Sequence, residues 1–193
     1  MLKNSRSSYG SVAKWLHWLI ALWVLAAYLI ILYLKSQSDA FPLPGLNIHK
    51  VVGFSILVPV LFRLYWRATN IQPALPDHMP RWQRRASGLS HGFLYFFLIA
   101  MPVTGYLGNG GGVDYGAFRI PPFLGSPVSA WIYDTVGISD SQWDTFFDTL
   151  HYGIMGPWLF WMLIAVHAGA AIWHHHVQKD DVFKRMLPGR NKK

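Results

Sequence analysis

Four apolar runs divide this chain, from Trp15 to Leu34, His49 to Trp66, Ser90 to Leu107 and Leu150 to Trp173. Each comes close to the roughly 20 residues that a helix rising about 1.5 Å per residue needs to cross a hydrocarbon core, so the pattern predicts four transmembrane helices. The second run is the one that charge interrupts. Its uncharged part stops at Arg63, from where Arg63 and Arg67 can snorkel along the last turn to the headgroups. Pro59 and Pro102 fall inside runs two and three, which neighbouring helices tolerate in a membrane. The polar, basic stretch Met1 to Ser11 is followed by a run too long for a signal-peptide core and without a small-residue cleavage site, so the first run is expected to be retained. With no internal repeat or low-complexity tract, the expected fold is all-α: one integral-membrane four-helix bundle over residues 1–193.

Composition supports a membrane protein, and charge placement orients it. Only 13% of residues are charged, about half the share of an ordinary soluble domain. Lys3, Arg6 and Lys14 precede run one, Arg63, Arg67, Arg81, Arg84 and Arg85 follow run two, and Lys179, Lys184, Arg185, Arg190, Lys192 and Lys193 follow run four. These belong to one side. The other side holds Lys35, Lys50 and Arg119 together with Asp39, Asp114, Asp134, Asp140, Asp144 and Asp148. The positive-inside rule then places both termini in the cytoplasm. Topology accounts for the net charge of +8, and a nucleic-acid partner is not needed.

Depth sorts the histidines. His17 is predicted near the cytoplasmic face, His49 and His151 near the outer face, and His167 about 24 Å beyond His151 along a straight helix. One pair can form in each leaflet, His49 with His151 outside and His17 with His167 inside. Two neutral imidazoles on facing helices ligate a haem iron from both sides, leaving a low-spin centre that passes electrons and has no open position for oxygen. Without cysteine, neither thioether attachment nor an iron–sulfur cluster is available. Small residues that admit a porphyrin are present at Gly53, Gly92, Gly105, Gly153, Gly156 and from Ala168 to Ala171, although helix packing in membranes uses the same types. The bland reading of any one histidine is an interfacial residue, as for His17 between Trp15 and Trp18. The fourfold depth match favours ligation.

The strings Lys14-Trp15-Leu16-His17-Trp18, His49-Lys50-Val51-Val52-Gly53, Leu89-Ser90-His91-Gly92 through Met101-Pro102-Val103-Thr104-Gly105-Tyr106, and His167 through His175 resemble the bacterial cytochrome b561 family. The tail Asp181 to Pro188 fits as well. The resemblance covers nearly the whole chain. It implies a four-helix cytochrome of the bacterial cytoplasmic (inner) membrane with two b haems on the positions matching His17, His49, His151 and His167. It also implies electron exchange with ubiquinone and, in at least one branch, oxidation of superoxide at the periplasmic face.

One departure stands out. His151 and His167 are sixteen residues apart, about 160° beyond whole α-helical turns, whereas a spacing near fourteen is usual in the family and leaves about 40°. Gly156 and Pro157 lie between them, so a kink or π-bulge is expected there to absorb the surplus.

His91 and His174 are candidates to hydrogen-bond a quinone, with a plain interfacial role equally open. His91 is also the substitute ligand if His17 fails. The run His174, His175, His176 points in successive directions on a helix, and His78, in a basic loop beside prolines, is expected to be solvated. Gly108 to Gly112 lacks the Lys-Ser/Thr ending of a phosphate loop and is expected to be a flexible turn. The stretch Val113 to Thr149 is expected to form short helices on the outer membrane surface over the outer haem. The loop Arg81 to Arg85 is expected to bind anionic lipid, with docking of a redox partner as the sharper alternative.

These readings converge on an electron carrier between ubiquinone and a periplasmic donor or acceptor. Superoxide is one candidate, although an anion steered to the outer face calls for positive charge and the outer loops are net acidic. Lys35, Lys50 and Arg119 are the candidates for a local positive patch. The alternative is a membrane-anchor cytochrome that links a periplasmic oxidoreductase to the quinone pool. A haem-free transporter or structural protein is the remaining class.

Overall fold

The computed structural model describes residues 1–37 and 43–189; Asp39, Arg190, Lys192 and Lys193, assigned above to sides of the membrane, lie outside them. Four helical stretches are long and apolar enough to cross a membrane: Ser11–Gln37, Gly45–Thr69, Arg81–Leu107 and Asp140–Gln178. In helix α1 (Ser11–Gln37), Ala13, Leu16, Ile20, Ala27 and Leu34 are buried at spacings that repeat every three, four or seven residues. Trp15, Leu22, Leu29 and Tyr33 are exposed. That is an inward stripe on a helix whose remaining surface is apolar, as a lipid-facing helix requires.

The second stretch is not one regular helix. It divides into α2 (Leu43–Ser55) and α3 (Leu57–Thr69) at Ile56, whose N–H turns back to the Gly53 carbonyl at 3.3 Å. Pro59 explains the break. It has no N–H for the Ser55 carbonyl four residues earlier, and its ring crowds that oxygen. Helix α4 (Arg81–Leu107) begins well before the apolar run, so Arg81 to Arg85 form its first turns and not a loop. Charged residues with good helix propensity extend the helix past the hydrophobic signal back to Pro80. There the Arg84 guanidinium donates to the carbonyls of Pro76, Met79 and Asp77.

The connection after α4 holds more order than expected. Asn109 fixes the glycine turn by donating to the Gly112 carbonyl at 2.8 Å and accepting from the Gly111 N–H at 3.0 Å. Gly112 (φ 64°) has no room for a β-carbon beside the Ile120 carbonyl. A two-residue hairpin follows, β1 (Val113–Asp114) against β2 (Arg119–Ile120), paired Val113 with Ile120 and Asp114 with Arg119; it is a small departure from an all-α chain. The expected short helices are α5 (Pro127–Val136), capped by Ser126 and ended by left-handed Gly137, and α6 (Asp140–Asp148), opened by a Ser139–Gln142 capping box.

From Thr149 to Leu159 the chain is a π-helix, followed by α7 (Phe160–Trp173), a second π-helical turn His174–Gln178 and α8 (Val182–Met186). The expected distortion is therefore present, and it spans eleven residues. A π-helix advances roughly 80° per residue against 100° in an α-helix, so the eight steps from His151 to Leu159 remove about 160° of winding. That is the surplus in the sixteen-residue spacing. The local sequence favours the wide turn. Pro157 cannot donate to an α-helical ladder and would press on the Gly153 carbonyl. A β-carbon at Gly156 would stand 2.6 Å from the His151 carbonyl oxygen, so only glycine fits there.

Two compact units result. One comprises Met1–Leu22, Val58–Phe96 and the chain from Phe160 onward; the other comprises Trp23–Leu57 and Phe97–Leu159. Each draws on all four spans.

Replacing Gly156 by Ala is expected to lower unfolding stability by about 1–3 kcal/mol, the usual cost of overpacking. Gly153→Ala, whose methyl would meet only Thr149 Cγ2 at 3.7 Å, is expected to be near neutral. Denaturation of both variants in detergent checks the difference.

Candidate functional site

In the unit that contains the hairpin, α2 carries His49 and the π-helix carries His151, with ring centres 6.3 Å apart and planes at 78°. Both rings are held from behind. His49 Nδ1 lies 3.0 Å from the Ala27 carbonyl on α1, and His151 Nδ1 lies 2.9 Å from the Met101 carbonyl on α4. A carbonyl can only accept, so each Nδ1 carries the proton and each Nε2 keeps its lone pair. This is the arrangement in which ligating histidines are usually found. Thr104 Oγ1, 3.3 Å from His151 Nδ1, donates to the Ala100 carbonyl at 2.7 Å.

The glycine at 105 makes room for the ring of His151. A β-carbon there would lie 2.8 Å from His151 Cε1, so Gly105 lets α4 come up against the imidazole. Gly156 likewise accommodates the His151 backbone. Gly53 differs from both: a methyl at that position would meet no atom within 4 Å.

In the other unit, His17 on α1 and His167 on α7 have ring centres 6.1 Å apart at 65°. His91 on α4 is nearer to His167, at 5.3 Å, and its Nδ1 donates to the Ser87 carbonyl at 2.7 Å. Gly92 and Gly169 have open space where a β-carbon would be. Arg63, expected to snorkel outward, instead donates from Nη1 to the Ala13 carbonyl at 2.7 Å and ties α3 to α1.

Ring separation tests which pairs fit a shared metal. Two metal–nitrogen bonds of about 2 Å, plus about 1.1 Å from each nitrogen to its ring centre, put trans imidazole centres about 6.3 Å apart. The His49–His151 and His17–His167 separations match this value, and the His91–His167 separation is an ångström short. Rotation about the metal–nitrogen bond permits either interplanar angle. Among the described residues no three His, Asp or Glu side chains converge to hold an ion by themselves. A two-imidazole donor set leaves the equatorial positions to another ligand, and a porphyrin supplies four nitrogens. The residues present therefore fit haem.

His174 belongs to neither pair; its Nδ1 is 2.6 Å from Asp180 Oδ2. The sequence pattern did not single out Ala27 or Asp180, nor the contacts made by Met101, Thr104 and Arg63. Backbone carbonyls carry no sequence signal. For Arg63 the signal was present, a cation embedded in an apolar helix, but its partner on α1 was not.

The family profile described as prokaryotic cytochrome b561 matches residues 8–189. Cytochrome b561 homolog 2 of Escherichia coli K12 is 28% identical over 95% of this chain and 93% of its own length. Cytochrome b561 homolog 1 of the same organism is 27% identical over 94% and 98%. A Yersinia pestis protein named probable superoxide oxidase CybB is 26% identical over 93% of this chain and 96% of its own length.

The ring separations generate a direct comparison of variants. His17→Ala is expected to lose about half of the bound haem, whereas His91→Ala is expected to keep it all, as read by haem content per chain and the low-spin absorbance bands. Equal losses would transfer the ligand role to His91.

Proposed function

The chain belongs to the prokaryotic cytochrome b561 family, and from that premise we propose that it is a di-haem b-type cytochrome of the bacterial inner membrane, with cytoplasmic termini, that moves electrons between ubiquinone and a periplasmic donor or acceptor. The observation that carries the proposal is the presence of two histidine pairs, one in each compact unit, at the separation of trans-axial ligands. His49 and His151 would hold the outer haem and His17 and His167 the inner one, and each haem would supply reversible one-electron transfer.

The protein's own groups do the rest. The Ala27 and Met101 carbonyls fix the tautomers of His49 and His151 and raise the basicity of their Nε2 atoms. Arg63 puts a fixed positive charge among the inner histidines, which favours an electron there. His91 and His174 hydrogen-bond the ubiquinone on the cytoplasmic side.

Superoxide is the periplasmic donor we favour. The relative named a probable superoxide oxidase supports this reading, and so does a pair of cations. Lys50 Nζ donates to Asn109 Oδ1 at 3.3 Å, Arg119 donates to the Gly111 carbonyl at 2.7 Å, and the two converge on one turn beside His49. They form a local positive spot on an acidic face. Lys35 is engaged elsewhere, with its Nζ 4.1 Å from the ring centre of Tyr152. The acidic face itself, with Asp114, Asp134, Asp140 and Asp148 exposed, favours a second reading as the membrane anchor of a periplasmic oxidoreductase.

Stopped-flow mixing of the oxidised protein with superoxide tests the choice. Haem reduction is expected to be fast, and Lys50→Gln together with Arg119→Gln is expected to slow it several-fold and flatten its salt dependence. Unchanged rates reject steering. No reduction by superoxide, with a soluble redox protein co-purifying, favours the anchor.

A further inference from the structure

The cytoplasmic end of the first unit is closed over by chain that the electron path does not use. Asn4 donates to the Ile71 carbonyl, the Ala74 N–H to the Arg6 carbonyl, Arg185 to the Ala74 carbonyl, and Trp18 to the Met186 carbonyl. The N-terminal arm, the connector before α4 and the C-terminal tail are thereby tied together. Beneath them lies a buried carboxylate with two histidines.

Asp180 keeps only 5% of its side-chain surface exposed and His174 only 12%. The second π-helical turn ends at Lys179 in the left-handed conformation (φ 54°), which returns the chain so that Asp180 folds back over His174. His174 Nδ1 donates to Asp180 Oδ2 at 2.6 Å, and Asp180 Oδ1 accepts the Val182 N–H at 3.0 Å. His78, whose side chain is 55% exposed, brings Nε2 to 3.8 Å from the same Oδ2, within reach of one bridging water. One carboxylate thus links a solvent-facing imidazole to a covered one.

Two of the neighbouring cations have partners of their own. Arg84 is bound to the Pro76, Asp77 and Met79 carbonyls, and Arg185 to Asp181 at 2.8 Å. His175 packs on Phe183. The same segments also carry Lys3 and Arg6 in the N-terminal arm, Asp77 in the connector, Arg81 and Arg85 on α4, and His176, Lys179 and Lys184 in the tail. Among the described residues, the ion-pair contacts of Asp180 are with His78 and His174.

We infer that His78, Asp180 and His174 form a proton relay that carries protons from the cytoplasm to the quinone. The inference rests on the proposed ubiquinone reading of His174. Reducing a quinone to a quinol takes two electrons and two protons. The electrons arrive through the protein's electron transfer, and the protons have to cross a covered site. The His174 imidazolium, its Nδ1–H on the Asp180 carboxylate, gives its Nε2 proton to a quinone oxygen and is left as the Nδ1–H tautomer. Tautomer exchange moves that proton to Nε2, and a proton from His78 passes to Asp180 and on to the vacated Nδ1. Per proton delivered, one enters at His78 and Asp180 returns to the carboxylate.

The test uses the full haem-loaded chain, pre-reduced and mixed with a short-tail ubiquinone, with haem reoxidation and proton uptake by a pH dye followed together. Asp180→Asn is expected to slow both by about a hundredfold, in the range of lost acid–base catalysis, while the haem spectrum is unchanged. His78→Gln, at an exposed position that does not threaten folding, is expected to slow both about tenfold above neutral pH, with recovery on adding free imidazole. Both variants reoxidising at the wild-type rate and pH profile would overturn the relay and leave the quinone reading standing. A wild-type chain that ubiquinone does not reoxidise would overturn the quinone reading and the relay with it.

Discussion

The wide turn from Thr149 to Leu159 is the constraint around which the unit that contains His49 and His151 is arranged. A regular helix would carry the sixteen-residue interval between His151 and His167 about 160° past whole turns. Underwinding by roughly 20° per residue over half of that interval takes up the excess, and each histidine then meets a partner in its own compact unit. Two residues make the distortion local. Pro157 disfavours the α-helical ladder, and Gly156 tolerates the approach of the His151 carbonyl. Gly105 on α4 completes the fit by leaving room for the imidazole.

Once His151 is placed, its tautomer follows from a carbonyl and not from a side chain. Met101 serves His151 and Ala27 serves His49, each offering a backbone oxygen to Nδ1. This economy suits a membrane interior, where a carboxylate in the same role would bring a costly charge of its own. The contrast comes at the opposite end of the chain, where Asp180 takes that role for His174 beneath a cover of polar segments. The distinction suits the proposed roles: a haem ligand that passes only electrons needs a fixed tautomer, whereas a group proposed to pass protons needs a partner able to exchange them.

Much of this was legible in the sequence, and the remainder was hidden for identifiable reasons. Hydropathy located four spans, because a helix in lipid must be apolar nearly all round, and the histidine depths suggested which rings would meet. The spacing anomaly between His151 and His167, together with Gly156 and Pro157, pointed to the π-distortion before its length was known. Hydropathy was silent where polar residues continue a helix, so α4 begins at Arg81 and not near Ser90. It was silent also at Ile56, where one proline splits a span without changing its apolarity. The role of Gly105 depends on a contact with His151 from another span, and that of Asp180 on the left-handed turn at Lys179 that folds it back over His174; hydropathy encodes neither.

The most direct test is the haem content of the purified chain, read from its reduced-minus-oxidised and pyridine haemochrome spectra. The arrangement of the two histidine pairs predicts two low-spin b haems per chain. One haem, or a high-spin centre with an open axial position, would contradict it.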